Sequence, residues 1–223
     1  CRRDTAPCVG LGAALIARKD PSATIIVMPA DHVIEPEREF HRAIHAAEQF
    51  VEEFPDALLT FGITPSSPSQ NYGYIHRGER ISERSGIGLS KVLGFKEKPD
   101  LERAREFVAS GEYFWNSGIF VWKASTILEQ LRQQRPDIHA SVTRIASAWG
   151  TGQQDEVFQK EYEAIKGTSI DYAVMEHAPR RLVVQAPYVW DDVGSWLALE
   201  RHNPHDSQGN IVQGSSLLID TKG

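Results

Sequence analysis

Cysteine is almost missing from this 223-residue chain: Cys1 and Cys8 are its only two. Neither sits in a CxxC or Cys/His metal spacing, and a disulfide framework for a chain of this length needs more. Both read as free thiols of a reducing compartment. Long apolar runs are missing too. The longest, around Leu11 to Ala17, is far too short to span a bilayer. No secretory signal opens the sequence and no Asn-x-Ser/Thr site occurs, so a cytoplasmic setting is expected. Excess positive charge is also lacking: 24 basic residues face 30 acidic ones, a net charge of −6, with no long basic block. Nucleic-acid binding is therefore not expected, and any phosphate site has to be a local feature. A dinucleotide fingerprint is absent. Gly10-Leu11-Gly12 lies inside a helical pattern, without the third glycine or a preceding strand. The eight histidines are scattered and read as surface or core residues.

What is present is ordinary globular composition, 41% hydrophobic and 24% charged, with length enough for a substantial core. Short β-branched runs at Thr24–Met28, Ala57–Gly62 and Gly118–Trp122 read as buried strands, apolar on both faces. Gly73–Arg77, Leu89–Glu97 and Arg181–Gln185 add further strands. Helical spacing marks Cys8–Lys19, Pro36–Phe54, Leu101–Ser110, Ala124–Gln134, Ile138–Trp149 and Glu156–Tyr162. Strands alternating with helices predict an α/β sandwich around a mixed, mainly parallel sheet. From Ser207 polar turns take over, with a strand expected at Ser216–Asp220. The expected division is a domain over 1–206 and the start of a β-rich segment over 207–223.

The candidate chemistry lies at strand ends. Asp31, in Met28-Pro29-Ala30-Asp31-His32, follows a strand, where ligands of open α/β folds bind. Asp191 and Asp192 follow another apolar run; adjacent residues of an extended chain point opposite ways, so one of the pair can reach a metal. Mg²⁺ takes one or two carboxylates plus phosphate oxygens and water. Aspartates in such places also cap helices. Lys98 offers a compact charge for phosphate, and Pro99 biases it to an extended backbone. Glu97 can accept from sugar hydroxyls, although an exposed Lys/Glu pair is the ordinary case. Asn116 is an amide in an aromatic run that a sugar hydroxyl could satisfy. Gly73 lets a ligand approach the backbone, or simply makes a turn. Thr5-Ala6-Pro7 offers only a faint base-pocket signal.

Seven segments, in order and over nearly the whole chain, resemble the mannose-1-phosphate guanylyltransferases of the bacterial GDP-mannose pathway. They are Arg3-Asp4-Thr5-Ala6-Pro7, MPADH (28–32), NYGYI (71–75), GFKEKP (94–99), WNSGIFVW (115–122), SIDYAVME (169–176) and WDDVGSW (190–196). Singly they are weak; together they are specific. The resemblance implies a glycosyltransferase-A-like, Rossmann-like α/β domain that converts GTP and mannose 1-phosphate to GDP-mannose and diphosphate. It implies Mg²⁺ on Asp31 and Asp192, Lys98 on the sugar phosphate, and mannose on Glu97, Asn116 and the Gly73 backbone. Thr5, Ala6 and Pro7 would approach guanine, with Asp171 in support. A homodimer is allowed and not required.

The sequence departs from the family in two ways. Members begin with a strand and a G-G-x-G-T-R-x-x-P loop that grips the triphosphate, and residue 4 is often asparagine; here that loop does not occur and residue 4 is Asp4. The expectation is an N-terminally incomplete domain, lacking its first strand and phosphate cradle and inactive alone, in a polypeptide that runs on past Gly223. Two alternatives stay open: a pyrophosphorylase of another nucleotide sugar, and a non-catalytic nucleotide-sugar-binding subunit.

Overall fold

The computed structural model describes residues 2–222, so Cys1 lies outside the described residues. Cys8 is a free, exposed thiol. The strands are β1 (Thr24–Val27), β2 (Val33–Glu35), β3 (Leu58–Ile63), β4 (Tyr74–Arg84), β5 (Ile87–Lys96), β6 (Tyr113–Lys123), β7 (Arg181–Gln185) and β8 (Val189–Asp191). The α-helices are α1 (Thr5–Ala17), α2 (Glu37–Glu53), α3 (Leu101–Ser110), α4 (Ala124–Gln134), α5 (Pro136–Ala148) and α6 (Gln154–Ala164). A π-helix spans Asp171–Met175 and a 3-10 helix Trp196–Arg201.

Six strands form a mixed sheet in the order β1-β6-β3-β7-β5-β4. The α/β architecture is the expected one, but its parallel part needs narrowing. Among the described pairings β3–β7 is parallel, and those of β6 with β1, β3 and β4, and of β5 with β4 and β7, are antiparallel. Every residue of β3 is buried. Helices cover both of its faces, and that cover, not strand direction, produces the continuous apolar run.

Long β6 also pairs with β4, so β6, β3, β7, β5 and β4 form a closed circuit. Ile75, Phe114 and Val183 pack together in a small core of their own, with Val92 and Phe95 against it. Gly62 makes room there: a Cβ on it would lie 2.7 Å from both Phe114 and Val183.

A larger core under α2 gathers Phe50, Val51, Leu59, Phe61, Tyr74, Trp115 and Trp190. On the opposite side α1, α4 and α5 bury Leu58, Trp122, Ile127, Leu131 and Val142. Gly10 is part of that packing, since a Cβ on it would meet Leu131 Cδ1 at 2.9 Å. Two short antiparallel strands, β2 and β8, pair separately with Ile34 opposite Trp190. The strand expected at Ser216–Asp220 does not form. Leu217 and Ile219 are 85% and 73% exposed, so no burial offsets the cost of ordering a strand.

Candidate active site

The β2–β8 pair sets the site. It brings the loop carrying Asp31 and His32 against the loop carrying Asp191 and Asp192, residues 160 apart in sequence. The turn before β4, the end of β5, the middle of β6 and the π-helix converge on the same place. A cavity of about 200 Å³ is lined by His32, Gly73, Glu97, Lys98, Asn116, Asp171 and Asp192, among others. Six of the residues singled out from sequence thus share one small space.

Its deep end is a hydrogen-bonded cluster. Asn116 Nδ2 donates to Asp171 Oδ1 at 2.8 Å. The same amide's oxygen accepts from Thr60 Oγ1 at 3.2 Å and from the Gly118 amide at 3.3 Å, which fixes which way the group faces. Asp171 opens the π-helix, a rare element that tends to mark functional sites. Burial pushes its carboxyl above the ordinary range, against the opposing Asn116 hydrogen bond. Burial likewise raises Glu97, helped by the Asp171 charge and opposed by Lys98. Gly73 is the gap that admits Glu97: a Cβ there would sit 2.4 Å from Glu97 Oε2. Two acidic side chains and an amide around an open glycine suit a neutral ligand rich in hydroxyls.

Lys98 corrects the expectation of an extended backbone. Its φ is +43°, in the left-handed region that a non-glycine residue enters at a cost. The short loop from β5 to α3 turns sharply here, and helix capping by Asp100, which accepts from Arg103 N at 2.9 Å, anchors its far end. The Lys98 side chain is 64% exposed and its ammonium pairs with Glu97 Oε1 at 3.7 Å, so an anion can still reach it.

The two aspartates after Trp190 part company. Asp191 is buried and accepts from Arg201 Nε at 2.5 Å, from Arg201 Nη2 at 2.7 Å and from the Val193 amide at 2.9 Å. His202 Nε2 lies 2.9 Å from it. These partners, the Arg201 hydrogen bonds first, hold its carboxyl far below the usual range. Asp192 instead lines the cavity, and its Oδ1 accepts from Tyr72 Oη at 3.0 Å and from the Gly194 amide at 3.3 Å. Val193, between them and Gly194, has φ +46°, an outlier for a β-branched residue. Asp31 is exposed and has no hydrogen-bond partner among the described residues. Its charge and those of Asp192 and Asp191 pull the His32 pKa up, but burial outweighs them and sets it below the ordinary value.

No group of three or more His, Cys, Asp or Glu gathers for a metal among the described residues. Two carboxylates with uncommitted oxygens fit the sparse protein contribution that Mg²⁺ takes when phosphate oxygens and water fill its other positions. A second cavity, of about 730 Å³, shares Tyr72, Lys98, Trp190 and Asp192 with the first and extends past Ser66, Ser69 and Arg201.

Residues 2–209 match the Nucleotidyl transferase family. The chain belongs to that family. It is 39% identical over 221 residues to a putative mannose-1-phosphate guanylyltransferase of Vibrio cholerae, covering 98% of this chain and 46% of the relative. A mannose-1-phosphate guanylyltransferase of Klebsiella pneumoniae is also 39% identical, over 96% of this chain and 45% of the relative. The chain therefore spans slightly under half the length of these curated relatives. A Thermus thermophilus crystal structure described as a mannose-1-phosphate geranyltransferase superposes with TM-score 0.81 at 34% identity, over 96% of this chain and 59% of that one.

In this nucleotidyl transferase, Thr5, Ala6 and Pro7 form the first turn of α1 and are not among the residues lining either cavity. Ala6 is fully buried in the second core, and Thr5 Oγ1 accepts from the Ile170 amide at 2.8 Å. Asp4 caps the helix, accepting from Thr5 N at 2.8 Å. The segment thus anchors the loop that leads to Asp171. Sequence reasoning missed Tyr72, His32 and Trp190, although each lies inside a matched segment. The Tyr72 ring sits edge-on to Trp115 and Trp190, with centroids 4.9 and 5.1 Å away. Arg201 and His202 carried no signal, because their partner lies outside any local spacing pattern.

Proposed function

We propose that this nucleotidyl transferase domain joins the nucleoside monophosphate of GTP to mannose 1-phosphate, giving GDP-mannose and diphosphate. The observation that supports this most is the small cavity that gathers Gly73, Glu97, Asn116 and Asp171 beside Lys98 and Asp192. It sets acceptors and an amide beside the Lys98 ammonium, which pairs with Glu97 at 3.7 Å and stays reachable from solvent. The relatives' names support mannose as the sugar and guanine as the base.

The roles follow from the chemistry of each group. Glu97, Asn116 and Asp171 would hold sugar hydroxyls, and Lys98 the sugar's phosphate. A phosphate oxygen of mannose 1-phosphate forms a bond to the α-phosphorus of GTP; the bond from that phosphorus to the bridging oxygen breaks, and diphosphate leaves with the electron pair. A phosphate monoester is mostly dianionic at neutral pH, so the nucleophile needs no protein base, and the protein's contribution is positioning and charge neutralisation. Asp31 and Asp192 would hold Mg²⁺, which when bound screens the two approaching phosphate groups from each other.

Turnover of the full-length polypeptide with GTP, UTP and ATP, each paired with mannose 1-phosphate and with glucose 1-phosphate, tests the assignment. GTP with mannose 1-phosphate should give the highest kcat/KM. A higher value for UTP with glucose 1-phosphate would reassign the protein to another nucleotide sugar.

A further inference from the structure

We propose that His32 is a phosphate-binding residue of this site, its proton fixed on Nε2 by Trp190 so that it donates a hydrogen bond to a substrate phosphate oxygen and does not ligate metal. The argument starts from Trp190, whose indole nitrogen can only donate. Its Nε1–H points at His32 Nδ1, 3.0 Å away. Nδ1 must accept, so the ring carries its proton on Nε2. A protonated ring nitrogen has no lone pair for a metal, even in a position flanked by Asp31 and Asp192.

The lock is built into the fold. Trp190 is buried in the core under α2 and held in β8 opposite Ile34 of β2, so His32 is delivered to it by the backbone. The rings meet edge to face, with centroids 5.2 Å apart at 89°. His32 lines the same cavity as Lys98 and Asp192, and among the described residues Nε2 has no hydrogen-bond partner. A donor left unpaired in a cavity is completed by an arriving acceptor. Beside Lys98 that acceptor is a phosphate oxygen, an assignment that rests on the function proposed above for which phosphate it is.

Long-range ¹H–¹⁵N spectra of histidine-labelled protein report which ring nitrogen carries the proton. The expected spectrum shows His32 protonated on Nε2 and bare on Nδ1, with the other tautomer emerging in Trp190→Phe. Adding mannose 1-phosphate, GTP or diphosphate should move the Nε2 resonance. A proton on Nδ1, or an Nε2 resonance that none of the three probes moves, overturns the proposal. Movement with diphosphate but no binding of mannose 1-phosphate anywhere would sink the sugar assignment and leave His32 in its role. In parallel, His32→Ala should weaken phosphate-ligand binding about tenfold or more, while His32→Gln, which keeps an N–H near the Nε2 position, should stay within about threefold. Equal affinity in His32→Ala and parent, at matched melting temperature, would contradict it.

Discussion

Asp191 and Asp192 are neighbours in sequence with different work to do. Asp191 is spent on Arg201, His202 and the turn at Val193, so Asp191→Asn should cost about 1–2 kcal/mol in urea unfolding, the exposed side of the guanidinium limiting the loss. Asp192→Asn keeps an oxygen for Tyr72 and Gly194 but loses the charge. It should leave unfolding nearly unchanged and cut turnover on the order of a hundredfold. The reverse pattern would exchange their roles. The two acids that burial raises in the cavity give a pH prediction. Burial raises Asp171 and Glu97, so the folded state favours their protonated forms. Their contribution to stability is fully present below the ordinary carboxylate range and is lost as pH rises through the raised values. Asp171→Asn removes part of that loss, so its stability relative to parent should improve as pH rises from the ordinary carboxylate range to neutrality. A constant or shrinking difference over that whole rise would contradict a carboxyl raised by burial.

At the level of elements, the strands and helices with strong periodicity were legible: α2, α3, α4 and β3 begin and end within a residue or two of where spacing and capping residues put them. What periodicity could not reach was the three-residue pair β2 and β8, too short to show a period and yet the element that joins the two aspartate loops. The left-handed turn at Lys98 was hidden for a related reason, since Pro99 argues locally for an extended residue and the tertiary closure of β5 onto α3 decides otherwise. The strand circuit closed by β6 and β4 offers an element-scale test. Gly62→Ala pushes a methyl against Phe114 and Val183 and should destabilise the protein by about 1–3 kcal/mol, read as a lower denaturation midpoint at unchanged m-value. An unaffected midpoint would show that the circuit is looser than its packing.

Over the whole molecule, the α/β class and the position of most candidate residues were readable because motifs at strand ends converge wherever a sheet is covered by helices on both faces. Strand direction was not readable, since burial on two faces produces the same apolar run whether neighbours are parallel or antiparallel. The grouping of Glu97, Asn116 and Asp171 apart from Asp192 emerges only when loops around the strands meet at one cavity, with Tyr72 packed between Trp115 and Trp190. The proposed function puts the sugar of a sugar 1-phosphate in this cavity, with its phosphate on Lys98. Calorimetric titration of mannose 1-phosphate into parent, Gly73→Ala and Lys98→Ala tests it most directly. Saturable one-site binding to the parent is expected, weakened on the order of tenfold or more in both variants, because one displaces Glu97 and the other removes the cation. Binding of equal strength to all three proteins would place the sugar phosphate elsewhere.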